Sequence, residues 1–237
     1  MTAQGSAARH EADAASGASV AAYARPRSPR DDDVLRQHTP RAALPPLTAR
    51  GVWGHLRTIT RHKALVGRYC FAAGLYRQGL AHDLSKYSPT EFWRGARFYQ
   101  GTRSPNSAER AQLGMTEAWL HHKGRNRHHF EYWVDIRGNG DATLVGEPMP
   151  TRYVVEMLCD RIAACRVYQG DAYTRASPLA YFRRECSTGR LTIHPATAAL
   201  LERMLEEVAE RGERDALAWV RSAIVRPRLV YVDGGRF

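Results

Sequence analysis

Residues 151–169 read TRYVVEMLCDRIAACRVYQ, a run without glycine or proline. Its apolar residues recur at helical rather than alternating spacing, so it reads as one helix. Asp160 falls on a stripe with Tyr153, Met157, Ala164 and Val167. A carboxylate on an apolar stripe must be paired, because desolvating its charge costs several kcal/mol. Its partner is either one of the chain's many arginines or a metal ion.

The same period extends outward from this helix. Upstream, residues 53–73 (WGHLRTITRHKALVGRYCFAA) predict a first helix ending near Gly74, and a short helix covers 77–86. SPTE then offers a helix start, with Ser88 as N-cap, Pro89 at the first position and Glu91 three residues after the cap. That helix runs to about Tyr99 and stops at Gly101. A turn at RSPN leads into a helix over Ser107–Lys123. Residues 135–150, with GNGD and EPMP, predict a loop or a small hairpin. Downstream, helices are expected at 178–186, 195–211 and 213–225, with RLVYV as a short terminal strand. Strand signals are too few for a sheet-based fold, so the domain reads as all-α.

Residues 1–48 are Ala/Ser/Arg/Pro-rich, with PRSPR and ALPPL and no sustained periodicity. They bury too little apolar surface to offset the entropy of ordering, and they read as a disordered arm. The domain then spans 51–225, followed by a tail at 226–237.

The 237 residues are 43% hydrophobic and 25% charged, ordinary for a soluble globular protein. No stretch approaches the roughly 18 apolar residues of a membrane span, and the N-terminus lacks the apolar core of a secretory signal. No membrane association is expected. The four cysteines show no CxxC and no framework spacing; Cys70, Cys159 and Cys165 sit in apolar contexts as free thiols, which fits the cytoplasm. Net charge is +11, from 35 basic and 24 acidic residues. Residues 1–50 hold seven arginines and five acids, a balance of +2, so +9 belongs to the rest. Such a surface favours anionic partners: nucleic acid, a phosphate ester or an acidic surface.

Metal-type side chains occur in four separate segments. His62 shares a stripe with Ile59, Leu65 and Val66, and His55 lies two turns earlier on the same side. His82 and Asp83 stand together, with Lys86 following. HHKGRNRHH carries His121, His122, His128 and His129 around a turn holding Lys123, Arg125, Asn126 and Arg127. Asp160 closes the series. Each segment has a plainer reading: a core histidine, a salt bridge, a solvated or nucleic-acid-binding basic loop. Together they supply imidazole and carboxylate donors without thiolate, a set suited to Fe, Mn, Zn, Co or Ni, and helices can present such donors into a bundle core. No motif specifies a haem axial ligand.

The order His62, His82-Asp83, Asp160 resembles the H…HD…D signature of the HD-domain superfamily of metal-dependent phosphohydrolases. Over residues 53–225 the chain is more closely similar to an uncharacterised bacterial family of that superfamily, a domain of unknown function. The blocks that carry this likeness are HDLSKYSPTEF, YQGTRSPN, AWLHHKGRNRHHFEYW, MPTRYVVEMLCDRIAA and ASPLAYF.

The resemblance implies an HD-domain-like helical bundle binding one or two divalent ions. It makes His62, His82, Asp83 and Asp160 ligands, with His55 as the alternative to His62. HDLSK also resembles the HDxxK form of cyclic-dinucleotide phosphodiesterases, in which the lysine contacts phosphate and further histidines hold a second metal. His121 or His122, and His128 or His129, are the candidates here. The GYP part of that motif is absent, so a cyclic dinucleotide is not implied.

The expected activity is hydrolysis of a phosphate ester or anhydride in a small nucleotide-like substrate. Asp83 and Lys86 would act in catalysis, with Lys86, Lys123, Arg125, Asn126 and Arg127 contacting phosphate. The competing readings are a basic helical domain that binds nucleic acid through the GRNRHH turn, and a regulatory module that binds nucleotide without hydrolysing it.

Overall fold

Thr48 opens the first helix. Its side chain accepts from the Gly51 N–H at 3.0 Å, and the chain stays helical over Ala49–Ala73 (α1) until Gly74, at φ 88°, closes it. The computed structural model describes residues 43–232 apart from 139, 141 and 190. Seven further helices follow before the C-terminal turn: α2 (Tyr76–Ala81), α3 (Pro89–Arg97), α4 (Pro105–Leu113), α5 (Glu117–Lys123), α6 (Thr151–Gln169), α7 (Ser177–Ser187) and α8 (Pro195–Arg211). Then α9 (Glu213–Val220) continues into a wider π-helical turn at Arg221–Val225.

Among the described residues the strands are β1 (Val134–Ile136) and β2 (Leu144–Gly146), an antiparallel hairpin with Asp135 opposite Val145. The architecture is all-α, as the periodicity predicts. No helix among the described residues is long and apolar enough to cross a membrane.

Three local expectations differ from what forms. The helix expected over Ser107–Lys123 is two, because Gly114 at φ 75° ends α4 and Thr116 accepts from the Trp119 N–H to start α5. The helix expected over 77–86 breaks at His82, and a 3-10 turn at Leu84–Tyr87 follows. The terminal strand over RLVYV does not form. Side chains fasten that segment instead: Thr151 donates to the Leu229 carbonyl at 2.6 Å, and the Tyr231 hydroxyl to that of Met149 at 2.5 Å.

Residues 1–42, most of the expected disordered arm, lie outside the described residues, as do 233–237. The last six residues assigned to the arm pack onto the domain. Arg97 donates to the Pro45 carbonyl at 2.7 Å and Gln112 to that of Ala43 at 3.3 Å.

The core forms around α6. Val154, Val155, Leu158, Cys159, Ile162 and Ala163 are fully buried among Val66 and Cys70 of α1, Leu201, Met204 and Leu205 of α8, and Leu217 and Val220 of α9. Each buried aliphatic side chain contributes about 1.5–3 kcal/mol, so α6 is firmly held and Asp160 with it. On another side α1 meets α3 at backbone distance. A Cβ at Gly51 would strike the Ala96 carbonyl oxygen, and one at Gly95 would strike the His55 ring. These small residues bring α1 and α3 together beside the segment that carries His82 and Asp83.

Candidate metal centre

Four segments converge on α6. The stripe of α1 that buries Ile59 and Val66 also buries His62. The break after α2 carries His82 and Asp83, where Lys63 pins the backbone by donating to the carbonyls of Leu80 and His82, each at 2.7 Å. Asp83 takes the left-handed conformation, φ 53° and ψ 26°, which aspartate tolerates better than most residues, and its side chain is 2% exposed. The last turn of α5 supplies His122, the turn after it His128 and His129, and α6 supplies Asp160.

Asp83 stands between two groups of donors. Its Oδ2 lies 3.5 Å from His62 Nε2 and 3.2 Å from His82 Nε2, and the same two nitrogens lie 2.9 and 3.7 Å from Asp160 Oδ1. Its Oδ1 lies 3.3 Å from His122 Nε2 and 3.5 Å from His128 Nε2, with His129 Nε2 2.9 Å from His122 Nε2. Two four-residue sets result: His62, His82, Asp83 and Asp160; and Asp83, His122, His128 and His129. A divalent ion with donors at ~2.1 Å and tetrahedral to octahedral angles places those donors ~3.0–3.4 Å apart. The observed spacings bracket that range.

The chemistry of the donors fits as well. His62 Nε2, His82 Nε2, His128 Nε2 and Asp83 Oδ1 are buried without a hydrogen-bond partner, while Asp83 Oδ2 has the ion pair with Lys86. Each such atom costs about 1–3 kcal/mol if left unsatisfied. Two imidazole nitrogens 2.9 Å apart, as in His122 and His129, need a proton or a cation between them. Burial, reinforced by His128 and His122, holds the His129 pKa well below its ordinary value, so the ring is neutral with a lone pair to give. Burial would lower the His82 pKa too, but the charge of Asp83 and the contacts with Asp160, Asp83 and Glu156 together outweigh it and raise it well above the ordinary value. The field at His82 therefore favours positive charge. Burial would likewise raise the Asp83 carboxyl; His82 and Lys86 hold it well below the usual range.

A second layer fixes the rings. His82 Nδ1 and His128 Nδ1 donate to Glu156 Oε1 at 3.0 and 3.2 Å, and His122 Nδ1 donates to Glu91 Oε2 at 2.8 Å. A carboxylate accepts only, so these contacts assign a proton to Nδ1, and in the neutral ring they leave Nε2 as the lone-pair donor. Asn126 donates from Nδ2 to Ser85 Oγ and to the His122 carbonyl, both at 2.8 Å, and so locks the turn.

A family model, a family of unknown function designated DUF5662, matches residues 51–207, from the first turn of α1 into α8. The chain belongs to the DUF5662 family. No curated protein and no solved structure matches it. The matched span contains every member of both donor sets.

Within this DUF5662 domain the alternatives left by the sequence separate. His62 joins a donor set, whereas His55 packs against Phe92, with ring centroids 5.5 Å apart. His122 joins a set; His121 does not, and its Nδ1 donates to Glu91 Oε1 at 2.6 Å. Both His128 and His129 enter. Glu91, three residues after the Ser88 cap that accepts from its N–H, holds His121 and His122 with its side chain. Neither Glu91 nor Glu156 is evident as a site residue from the sequence, although Glu156 lies one helical turn before Asp160 in an apolar run.

A cleft of about 500 Å³ opens over the centre, lined by His62, His122, His129 and Asp160. Lys86 lines it and pairs with Asp83 Oδ2 at 2.5 Å. The other cations at its walls are Arg103, Arg110 and Arg161, among the aromatic rings of Trp119, Tyr168 and Tyr181. Lys123, Arg125 and Arg127, expected at the phosphate, do not line it. Arg125 reaches the His121 carbonyl at 3.4 Å, and Arg127 lies over the Tyr132 ring. Asn126 locks the turn and is likewise absent from the cleft wall. Another hollow, about 630 Å³ between β2 and residues 191–195, holds no metal-type set among the described residues; its His194 caps α8.

Proposed function

We propose that this DUF5662 protein is a metal-dependent phosphohydrolase that cleaves a phosphate ester or anhydride in a nucleotide-like substrate. The observation that carries the reading is the pair of donor sets sharing Asp83 at the floor of a cleft walled by Lys86, Arg103 and Arg110. The order His62, His82-Asp83, Asp160 supports kinship with HD-domain phosphohydrolases. Imidazole and carboxylate donors without thiolate suit Fe, Mn, Zn, Co or Ni. Ions held there would supply Lewis-acid charge for a phosphoryl group and for activating water.

The chain's own residues do the rest. Asp83 ties the two sets together, and Glu156 and Glu91 hold His82, His128 and His122 in the tautomer that offers Nε2. Lys86, Arg103 and Arg110 would neutralise the phosphoryl oxygens as charge develops. Trp119 and Tyr168 offer flat apolar walls for a base. The GRNRHH turn is less suited to nucleic acid than its composition suggests, since His128 is buried and its partner His129 faces the centre. Buried free thiols at Cys70, Cys159 and Cys165 suit a reducing compartment, and we assign the protein to the cytoplasm.

Phosphate release from a panel of nucleotides and phosphate monoesters, with Mn²⁺, Fe²⁺ or Zn²⁺ added, tests the reading. The wild type should turn over at least one substrate, and His82→Ala, folded by circular dichroism, should lose about 100-fold or more. Equal turnover in the two proteins would overturn it.

A further inference from the structure

Glu156 reaches both donor sets through one atom. Its side chain is 7% exposed, and Oε1 accepts from His82 Nδ1 at 3.0 Å and from His128 Nδ1 at 3.2 Å. His82 belongs to the set that contains Asp160, and His128 to the set that contains His129. The two rings lie against each other, with centroids 4.4 Å apart. Glu91 is the useful contrast, since it accepts from His122, a member of one set, and from His121, a member of neither.

We propose that Glu156 is a positioning residue common to both ion sites, so that one side chain governs the affinity of each. The proposal rests on the reading of the two sets as metal sites. A neutral imidazole carries one N–H. A ring that offers its Nε2 lone pair must keep the proton on Nδ1, and a buried acceptor at Nδ1 fixes both tautomer and ring angle. Without Glu156, His82 and His128 would each bury an unpaired N–H or change tautomer, and each change acts on a different set. Loss of an acceptor behind a ligating histidine typically weakens metal binding about 10–100-fold.

Helix geometry explains how one residue does this. Glu156 and Asp160 are four apart on α6, so they stack on one face, with Asp160 Oδ1 toward the Nε2 atoms of His62 and His82 and Glu156 Oε1 toward the Nδ1 atoms of His82 and His128. Lys63, on α1, holds the His82 carbonyl and fixes the backbone from which that ring projects.

Calorimetric titration of metal-free protein with Mn²⁺ tests the proposal independently of turnover. The wild type should take up two ions per chain. Glu156→Ala should weaken both uptake steps about 10–100-fold, whereas Glu91→Ala should weaken one. Glu156→Gln, whose amide oxygen still accepts, should recover part of the affinity at both steps, and it serves as the test if the alanine variant does not fold. One step left at wild-type affinity in Glu156→Ala, or one step weakened and the other unchanged in Glu156→Gln, would overturn the proposal while leaving the metal reading intact. A wild type that takes up no ion would overturn the metal reading, and the proposal with it.

Discussion

His62 Nε2 lies 2.9 Å from Asp160 Oδ1, bringing α1 and α6 together at the floor of the cleft. The two helices pack through Val66, Cys70, Cys159 and Ile162, so the pair is set by the core and not by a flexible loop. His62→Ala should therefore remove one ion's worth of binding and leave the fold in place. His55→Ala, two turns earlier on α1, should keep its metal content. Metal analysis of the two variants side by side decides between the histidines; equal losses would contradict the assignment.

His55 should instead appear in the pH dependence of stability. Burial, with a smaller effect of Lys86, lowers its pKa from 6.5 to about 4, while Glu91 opposes the shift. Between those values the unfolded chain binds a proton that the folded chain refuses. The stability this neutral imidazole represents is complete above pH 6.5 and is lost as the pH falls toward 4. The full loss amounts to about 3 kcal/mol. Urea melts from pH 7.5 to 4.5 should show a shallower acid decline in His55→Gln than in the wild type. Parallel declines would place the acid sensitivity elsewhere.

Where the cations stand predicts which of them matter to a phosphorylated substrate. Arg103 and Arg110 line the cleft, whereas Arg125 and Arg127 do not. Replacing both of the first pair by alanine should raise KM for an active phosphate substrate by about 10-fold or more, as expected when charge-assisted contacts are removed. Replacing both of the second pair should leave KM within about 2-fold, as for surface changes. The reverse pattern would return the phosphate contacts to the GRNRHH turn.

Much of the centre is legible in the sequence, and what is not has identifiable physical causes. The 3.6-residue period alone places Asp160 and His62 on buried stripes. It cannot choose between His121 and His122, because the phase of that helix is set by its cap. A helix begun at Ser107 and one restarted at Thr116 point the two rings differently, and the Gly114 break decides. Glu91 has a sufficient local role as a residue of the α3 first turn, so its grip on two distant histidines comes only with tertiary packing. The charges of Arg125 and Arg127 mark them as phosphate contacts, yet their exposure on the outer side of a turn is a property of the fold. Glu156 did leave a signal: a carboxylate four residues before Asp160 in an otherwise apolar run.

The crossing of α1 and α3 supplies a stability prediction. Gly95 faces the His55 ring so closely that a methyl group has no room. Overpacking of this kind costs about 1–3 kcal/mol. Gly95→Ala should lower the urea midpoint accordingly, and more than Gly138→Ala, where the added carbon meets nothing within 4 Å. A wild-type midpoint for Gly95→Ala would show that α3 can shift, and the tight crossing would not then be needed to hold the segment at His82.

The most direct test of the account is the metal content of protein purified without a histidine tag, read by inductively coupled plasma mass spectrometry for wild type and Asp83→Ala. Because Asp83 contributes to both sets, the account predicts two equivalents of a first-row transition metal in the wild type and loss from both sites in the variant. Folded wild-type protein that carries no metal, and takes up none when Mn²⁺, Fe²⁺ or Zn²⁺ is added, would contradict it.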